Sequence, residues 1–151
     1  MMRPFVGVLA LVALVTSVTM RAGAEDYITP SQAIEKAAAA APQGVSGTFA
    51  MSVRGSGEAQ GNIFLNSESD YHDRSNLTVV ISPFVRAALT KKYGAPPESY
   101  FLGKRILVTG EAKRTTIWLY AHGLQTSDYY YQTHIVLTDA SQVQITGAPQ
   151  S

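Results

Sequence analysis

The chain of 151 residues contains no cysteine. That excludes a disulfide scaffold, a thiolate nucleophile and a cysteine-ligated metal. A small domain without such staples must be held by its apolar core and its backbone pairing. An excess of one charge is also missing: 12 Lys and Arg face 11 Asp and Glu. Two of those cations, Arg3 and Arg21, lie in the first two dozen residues; without them ten cations face eleven acids. The strongly basic field of a general nucleic-acid binder is therefore absent, and any polyanion site has to be a local patch. No apolar run reaches the roughly 20 unbroken residues of a spanning helix. Beyond a short alanine run at 37–41 there is no low-complexity segment, and no repeat of solenoid length.

What is present begins with an export signal. Met1-Met2-Arg3-Pro4 leads into an apolar stretch from Phe5 to about Met20, interrupted by Thr16, Ser17 and Thr19. Arg21-Ala22-Gly23-Ala24 follows, with small residues at the −3 and −1 positions of a cleavage site after Ala24. A cation, a short apolar region and small residues before the cut are the parts of a secretory signal peptide. Residues 1–24 are read as that signal, and the mature chain as periplasmic or secreted with no integral membrane span. The mature length, 151 less 24, or 127 residues, suits one hydrophobic core and not two.

The next segment, 25–44, reads as helical. Thr29-Pro30-Ser31-Gln32 offers a hydroxyl cap, proline at the first helical position and glutamine three residues after the cap. Pro42 and Gly44 stop it. Its alanines let it lie flat on a body, as a packing helix more simply than a recognition helix. From Val45 the period becomes two, and 45–151 reads as one β-rich domain. Strands are expected at Val45 to Arg54, Asn62 to Asn66 and Leu77 to Ile81, with Gly55-Ser56-Gly57 as the turn after the first. Ser82-Pro83 opens a helix that carries Lys91-Lys92 in its last turn and ends at Gly94. A fourth strand, Arg105 to Ala112, follows, with Thr115 to Tyr120 as a continuation or a further strand. Tyr129 to Leu137 is the last long strand, and Gln142 to Thr146 a short tail. Three strands, a helix and two more strands predict a mainly β fold: a small five-stranded barrel with a helix between its third and fourth strands and an extra amino-terminal helix. Closure would also remove exposed strand edges.

Four runs carry a family likeness: Gly61-Asn62-Ile63-Phe64-Leu65-Asn66, Leu77 to Ile81, Phe101 to Gly110, and Ile135 to Val143. They resemble small exported bacterial OB-fold domains, including those attached to secreted nucleases. There a Gly-Lys-x-Ile-x-Val-x-Gly strand, here Gly103 to Gly110, leads to a closing Ile-Val-x-x-Asp/Asn-x-x-Gln-Ile stretch, here Ile135 to Val143 with valine at the last position. The likeness covers about Val45 to Thr146, and this chain departs from it in a long, aromatic-rich connection at 115–132. Many ligands are bound on this fold, so the resemblance implies architecture more than activity. It implies a groove on the second and third strands flanked by loops. On this chain that implicates Phe64, Asn66, Tyr71 and Arg74, with Trp118, Tyr120 and Tyr129-Tyr130-Tyr131 from the long connection. Aromatics beside cations suit stacking on bases, and equally on sugar rings or a protein partner. Alternation sends one or two of the three tyrosines inward, so core packing competes with binding for them. Lys104-Arg105 and Lys113-Arg114 bracket the fourth strand as a positive rim or as solvated strand ends.

Catalysis finds little in the sequence. Gly55-Ser56-Gly57 lacks the spacing of a nucleophile elbow, and His72, His122 and His134 are scattered. Glu68, Asp70, His72 and Asp73 alternate as cation ligands could, but a calcium loop's sixth-position glycine is missing and turns need the same residue types. No metal, cofactor or catalytic residue is assigned. The expected function is a non-enzymatic binding module whose ligand-binding residues are Phe64, Asn66, Tyr71, Arg74, Lys104, Arg105, Trp118 and Tyr130. Its partner would be an oligonucleotide, a polysaccharide or another extended polymer. The alternative is an envelope module that docks a partner protein.

Overall fold

A computed structural model describes residues 26–146. The signal-peptide reading falls on residues 1–24, outside the described residues. The first element is the expected helix, α1 (Pro30–Ala40), closed at its start by a complete capping box: the Thr29 side chain accepts from the Gln32 amide and Gln32 Oε1 accepts from the Thr29 amide. Ala33 and Ala37 are fully buried, and their small size lets the helix press against the sheet.

Seven strands follow: β1 (Val45–Ser52), β2 (Gly55–Ala59), β3 (Asn62–Asn66), β4 (Leu77–Ile81), β5 (Arg105–Ala121), β6 (Leu124–Leu137) and β7 (Val143–Ile145). Helices α2 (Pro83–Tyr93) and α3 (Pro97–Tyr100) lie between β4 and β5. The helix expected after the third strand is therefore present as α2, capped by Ser82 and ended by Gly94 in the left-handed conformation. The sheet runs β1-β5-β6-β4-β3-β2, with β7 on the edge of β5 beyond the end of β6. All pairings are antiparallel except β4 with β6.

Two parts of the expected fold are corrected. Seven strands replace five, because Gly55-Ser56-Gly57 is strand and not turn, and the tail forms β7. The ladder is also open, ending at β1 and β2, where an edge-to-edge barrel was expected. These two strands are successive pieces of one chain, bent at Val53–Arg54. At the bend the backbone changes partner: Val53 N–H still donates to Lys104 beside β5, whereas Arg54 N–H donates to Asn66 of β3. The sheet thus wraps round with the chain itself bridging its two ends. Inside it lie Phe49, Met51, Ile63, Leu65, Leu77, Val79, Ile81, Ile106, Val108, Ile135 and Leu137, closed off by α2 through Val85 and Leu89 and by Phe101 after α3.

The pairing of Arg105 to Ala112 with β1 ends at Val45, yet β5 and β6 continue together as a two-stranded arm to a tight turn. The turn residues His122 and Gly123 have φ of 51° and 77°, the twist-matched hairpin geometry; Gln60 and Gly61, at 53° and 81°, repeat it between β2 and β3. Among the described residues no helix is long and apolar enough to cross a membrane.

Candidate ligand-binding site

Strand alternation decides which side chains leave the core. On β3, Ile63 and Leu65 point in, so Phe64 and Asn66 point out; on β4, Leu77, Val79 and Ile81 point in and Thr78 out. On β6, Ile135 and Leu137 point in, which turns Tyr130, Gln132 and His134 outward with Phe64. Register then aligns Gly55, Asn66, Thr78, His134 and Lys113 in one row across five strands. The next row pairs Gly57 with Phe64. Together they form a groove of about 560 Å³ lined by Gly55, Gly57, Phe64, Asn66, Tyr71, Thr78, Ile117, Tyr130, Gln132 and His134. Its β2 side, which also carries Ser56, Glu58 and Ala59, is open at Gly57, where an added Cβ meets nothing within 4 Å; at Gly55 it would press on the Glu68 carbonyl at 3.1 Å.

The polar groups of the groove are set by a chain of hydrogen bonds. Glu68 N–H donates to Asn76 Oδ1 at 3.1 Å, so the other end of that amide is the donor. Asn76 Nδ2 donates to Thr78 Oγ1 at 2.9 Å and to Asn66 Oδ1 at 3.1 Å. Thr78, having accepted, donates to the same Asn66 Oδ1 at 2.8 Å. Asn66 therefore cannot flip, and its Nδ2 is held as a donor toward the groove. On the far wall Gln132 Nε2 donates to Tyr130 Oη at 2.9 Å and Gln132 Oε1 meets His134 Nε2 at 2.8 Å. Because an amide oxygen only accepts, that imidazole nitrogen carries a proton. Burial of His134 lowers its pKa and favours the neutral ring. Burial likewise raises the Tyr130 pKa.

Four of the eight expected site residues, Phe64, Asn66, Tyr71 and Tyr130, line this groove. Arg74 lines a second cleft, of about 680 Å³, between α1, the 67–76 loop and the base of the arm. Trp118 is on the arm's other face, paired with Tyr129 (ring centroids 5.1 Å apart). Lys104 and Arg105 are remote from the groove. Lys104 Nζ donates to the Tyr100 carbonyl and lies 4.2 Å from the centre of that ring. Arg105 borders a shallow hollow with Thr29, Ser52 and Glu68. The tyrosine triplet divides between the two faces and none enters the core: Tyr130 is half-buried in the groove, and Tyr129 and Tyr131 are about half-exposed behind it. Core packing does not claim them because the arm stands clear of the core at 129–131.

The acidic loop serves its own turns. Asp70 accepts from His72 N–H at 2.9 Å and meets its ring at 3.1 Å; the backbone N–H first, then the ring, lowers the Asp70 pKa. Asp73 accepts from Ser75 N–H, and Glu68 pairs with Arg54 at 3.2 Å. Among the described residues no three acidic or histidine side chains gather as a metal site. Sequence reasoning missed Gly57, Thr78, Asn76, Gln132 and His134. Carrying the β6 alternation backward from Leu137 would have found Gln132 and His134; the others depend on cross-strand register.

No protein-family model matches the chain, and no curated protein does. Among solved structures it is similar to a small single-stranded DNA-binding protein from Streptomyces coelicolor, with 17% identity over 68% of this chain and 94% of that chain and a TM-score of 0.36.

Proposed function

We propose that the chain is an exported, non-enzymatic binding module whose groove holds a segment of single-stranded nucleic acid. The observation that carries this is the groove itself: four rings, Phe64, Tyr71, Tyr130 and His134, beside an oriented Asn66 amide and the open position at Gly57, with Glu58 as the one carboxylate on its rim. Rings at the surface of a strand-built trough are stacking platforms for successive bases, each worth about 1–3 kcal/mol and indifferent to sequence. Export rests on the sequence of residues 1–24 alone, and intact mass of the protein from the extracytoplasmic fraction tests it. A mass retaining Met1 would overturn that part. Binding is tested by fluorescence anisotropy with labelled oligothymidine, expected to show saturable binding that weakens as salt rises. No binding at low salt refutes the reading.

Docking of a partner protein is favoured by a different observation. The outer arm exposes Leu119, Tyr120 and Leu124, at 46%, 65% and 73%, away from the groove. A partner seated there would be insensitive to groove substitutions.

A further inference from the structure

The groove has aromatic rings but little positive charge, so the phosphates of a bound strand must be met elsewhere. Of the cations around the groove, Arg54 is paired with Glu68, and Lys113, opposite His134 in the register row, does not line it. Arg74 and Arg114 have no carboxylate partner among the described residues. Both line the second cleft. That cleft adjoins the groove: Tyr130 and Gln132 line both. The neighbouring Tyr71 and His72 rings lie 3.8 Å apart, tilted by 34°, one lining the groove and the other the cleft. His72 also lies 5.9 Å from the Tyr130 ring, so the passage from one site to the other is paved with rings.

We propose that this cleft is a phosphate site, in which Arg74 and Arg114 take backbone phosphates of the same strand whose bases stack in the groove. The proposal rests on the groove reading. Arg114 is half-buried with its guanidinium 4.1 Å from the centre of the Tyr131 ring. Stacking on one face fixes the plane and leaves the N–H edge free, the arrangement that grips two phosphate oxygens at once. Arg74 is exposed on the opposite loop and supplies the second charge. The cleft's carboxylate, Asp73, opposes an anion, but it accepts from Ser75 N–H at 2.8 Å and is turned to its own loop. An extended strand passing from stacking rings to a pair of arginines is thereby anchored at both its chemical features.

The test measures oligothymidine affinity across salt concentrations for the full-length protein and four variants. For a single strand, removing the cation that neutralises one phosphate should flatten the log–log salt slope by about 0.7. Arg74→Ala, at an exposed position, is expected to weaken binding several-fold and flatten the slope by that amount. Arg74→Ala with Arg114→Ala should flatten it by twice as much. Arg114→Lys keeps the charge but loses the fork, and should weaken binding at an unchanged slope. Gly57→Phe, which acts on the groove alone, should weaken binding with the slope intact. Wild-type affinity and slope in the Arg74 variants, with Gly57→Phe still impaired, overturns the phosphate site and leaves the groove standing. Absence of binding by the wild type overturns both.

Discussion

The open position at Gly57 permits a direct challenge to the groove. Gly57 faces Phe64 across the β2–β3 ladder, and directly opposed antiparallel residues share a face. Its φ is not among the positive ones, so a side chain is conformationally acceptable there. A Cβ at this position meets nothing within 4 Å, so no neighbour has to move. Gly57→Phe therefore places a ring in the trough beside Phe64. Replacing a strand glycine recovers roughly 0.5–1 kcal/mol of backbone entropy, and an aromatic cross-strand pair adds about 0.2–1 kcal/mol. The variant should melt a few degrees higher, or at worst unchanged. Its ligand loses at least the stack on Phe64, about 1–3 kcal/mol, or roughly 5- to 150-fold in Kd. Anisotropy with labelled oligothymidine and thermal melting, read on the same preparation, separate the two effects. Gly57→Ala, which adds only a methyl group, should bind nearly as the wild type does. A Gly57→Phe protein that melts normally and binds undiminished would refute the groove as the site.

Other expectations follow from individual interactions. Thr78→Val deletes one donor to the buried Asn66 oxygen, and thermal unfolding should show a loss of about 1–3 kcal/mol. Lys104→Ala and Arg105→Ala should leave oligonucleotide affinity unchanged, since neither residue reaches the groove or the cleft. His134 has its pKa lowered by burial, so the unfolded chain takes up its proton first as pH falls. Its contribution to stability is complete above its ordinary pKa of about 6.5 and is lost below that value. His134→Gln should reduce the fall in melting temperature between neutral and mildly acidic pH, before the carboxylates titrate.

The legible parts of the fold were those with local causes. Thr29 and Gln32 announce α1, Ser82 and Gly94 bracket α2, and the β-branched run at Leu77 to Ile81 marks β4. The rest depended on partners distant in sequence. Gly55-Ser56-Gly57 has turn composition, and only Asn66 and Phe64 on the facing strand make it β2. The glycines that hid this strand are the ones that keep the groove open. The arm's two strands were expected at Thr115 to Tyr120 and Tyr129 to Leu137, but their joining into one hairpin escaped for a related reason. With polar and aromatic residues on both faces, Thr115 to Gln132 has no inside to give it period two, and pairing between its own strands supplies the order. Phe64, Asn66 and Tyr130 came together because alternation on β3 and β6 was readable, and Tyr71 joins them from the loop between β3 and β4. Lys104 and Arg105 did not, because charge beside a strand says nothing of which end of the sheet it occupies.

That geography bears on how a nearly neutral chain could hold a polyanion. Clustered cations would give affinity at the cost of steep salt dependence. Here the rings and the arginines occupy different faces, which meet at Tyr130 and the Tyr71–His72 ring pair. Base contacts and phosphate contacts then become separable energetic terms, one set by burial and the other by ionic strength. The proposed export would make the separation useful, because salt outside the cytoplasm is not controlled by the cell. A module that draws most of its affinity from stacking keeps its ligand when the charges are screened, and two arginines suffice to fix where the backbone leaves the groove.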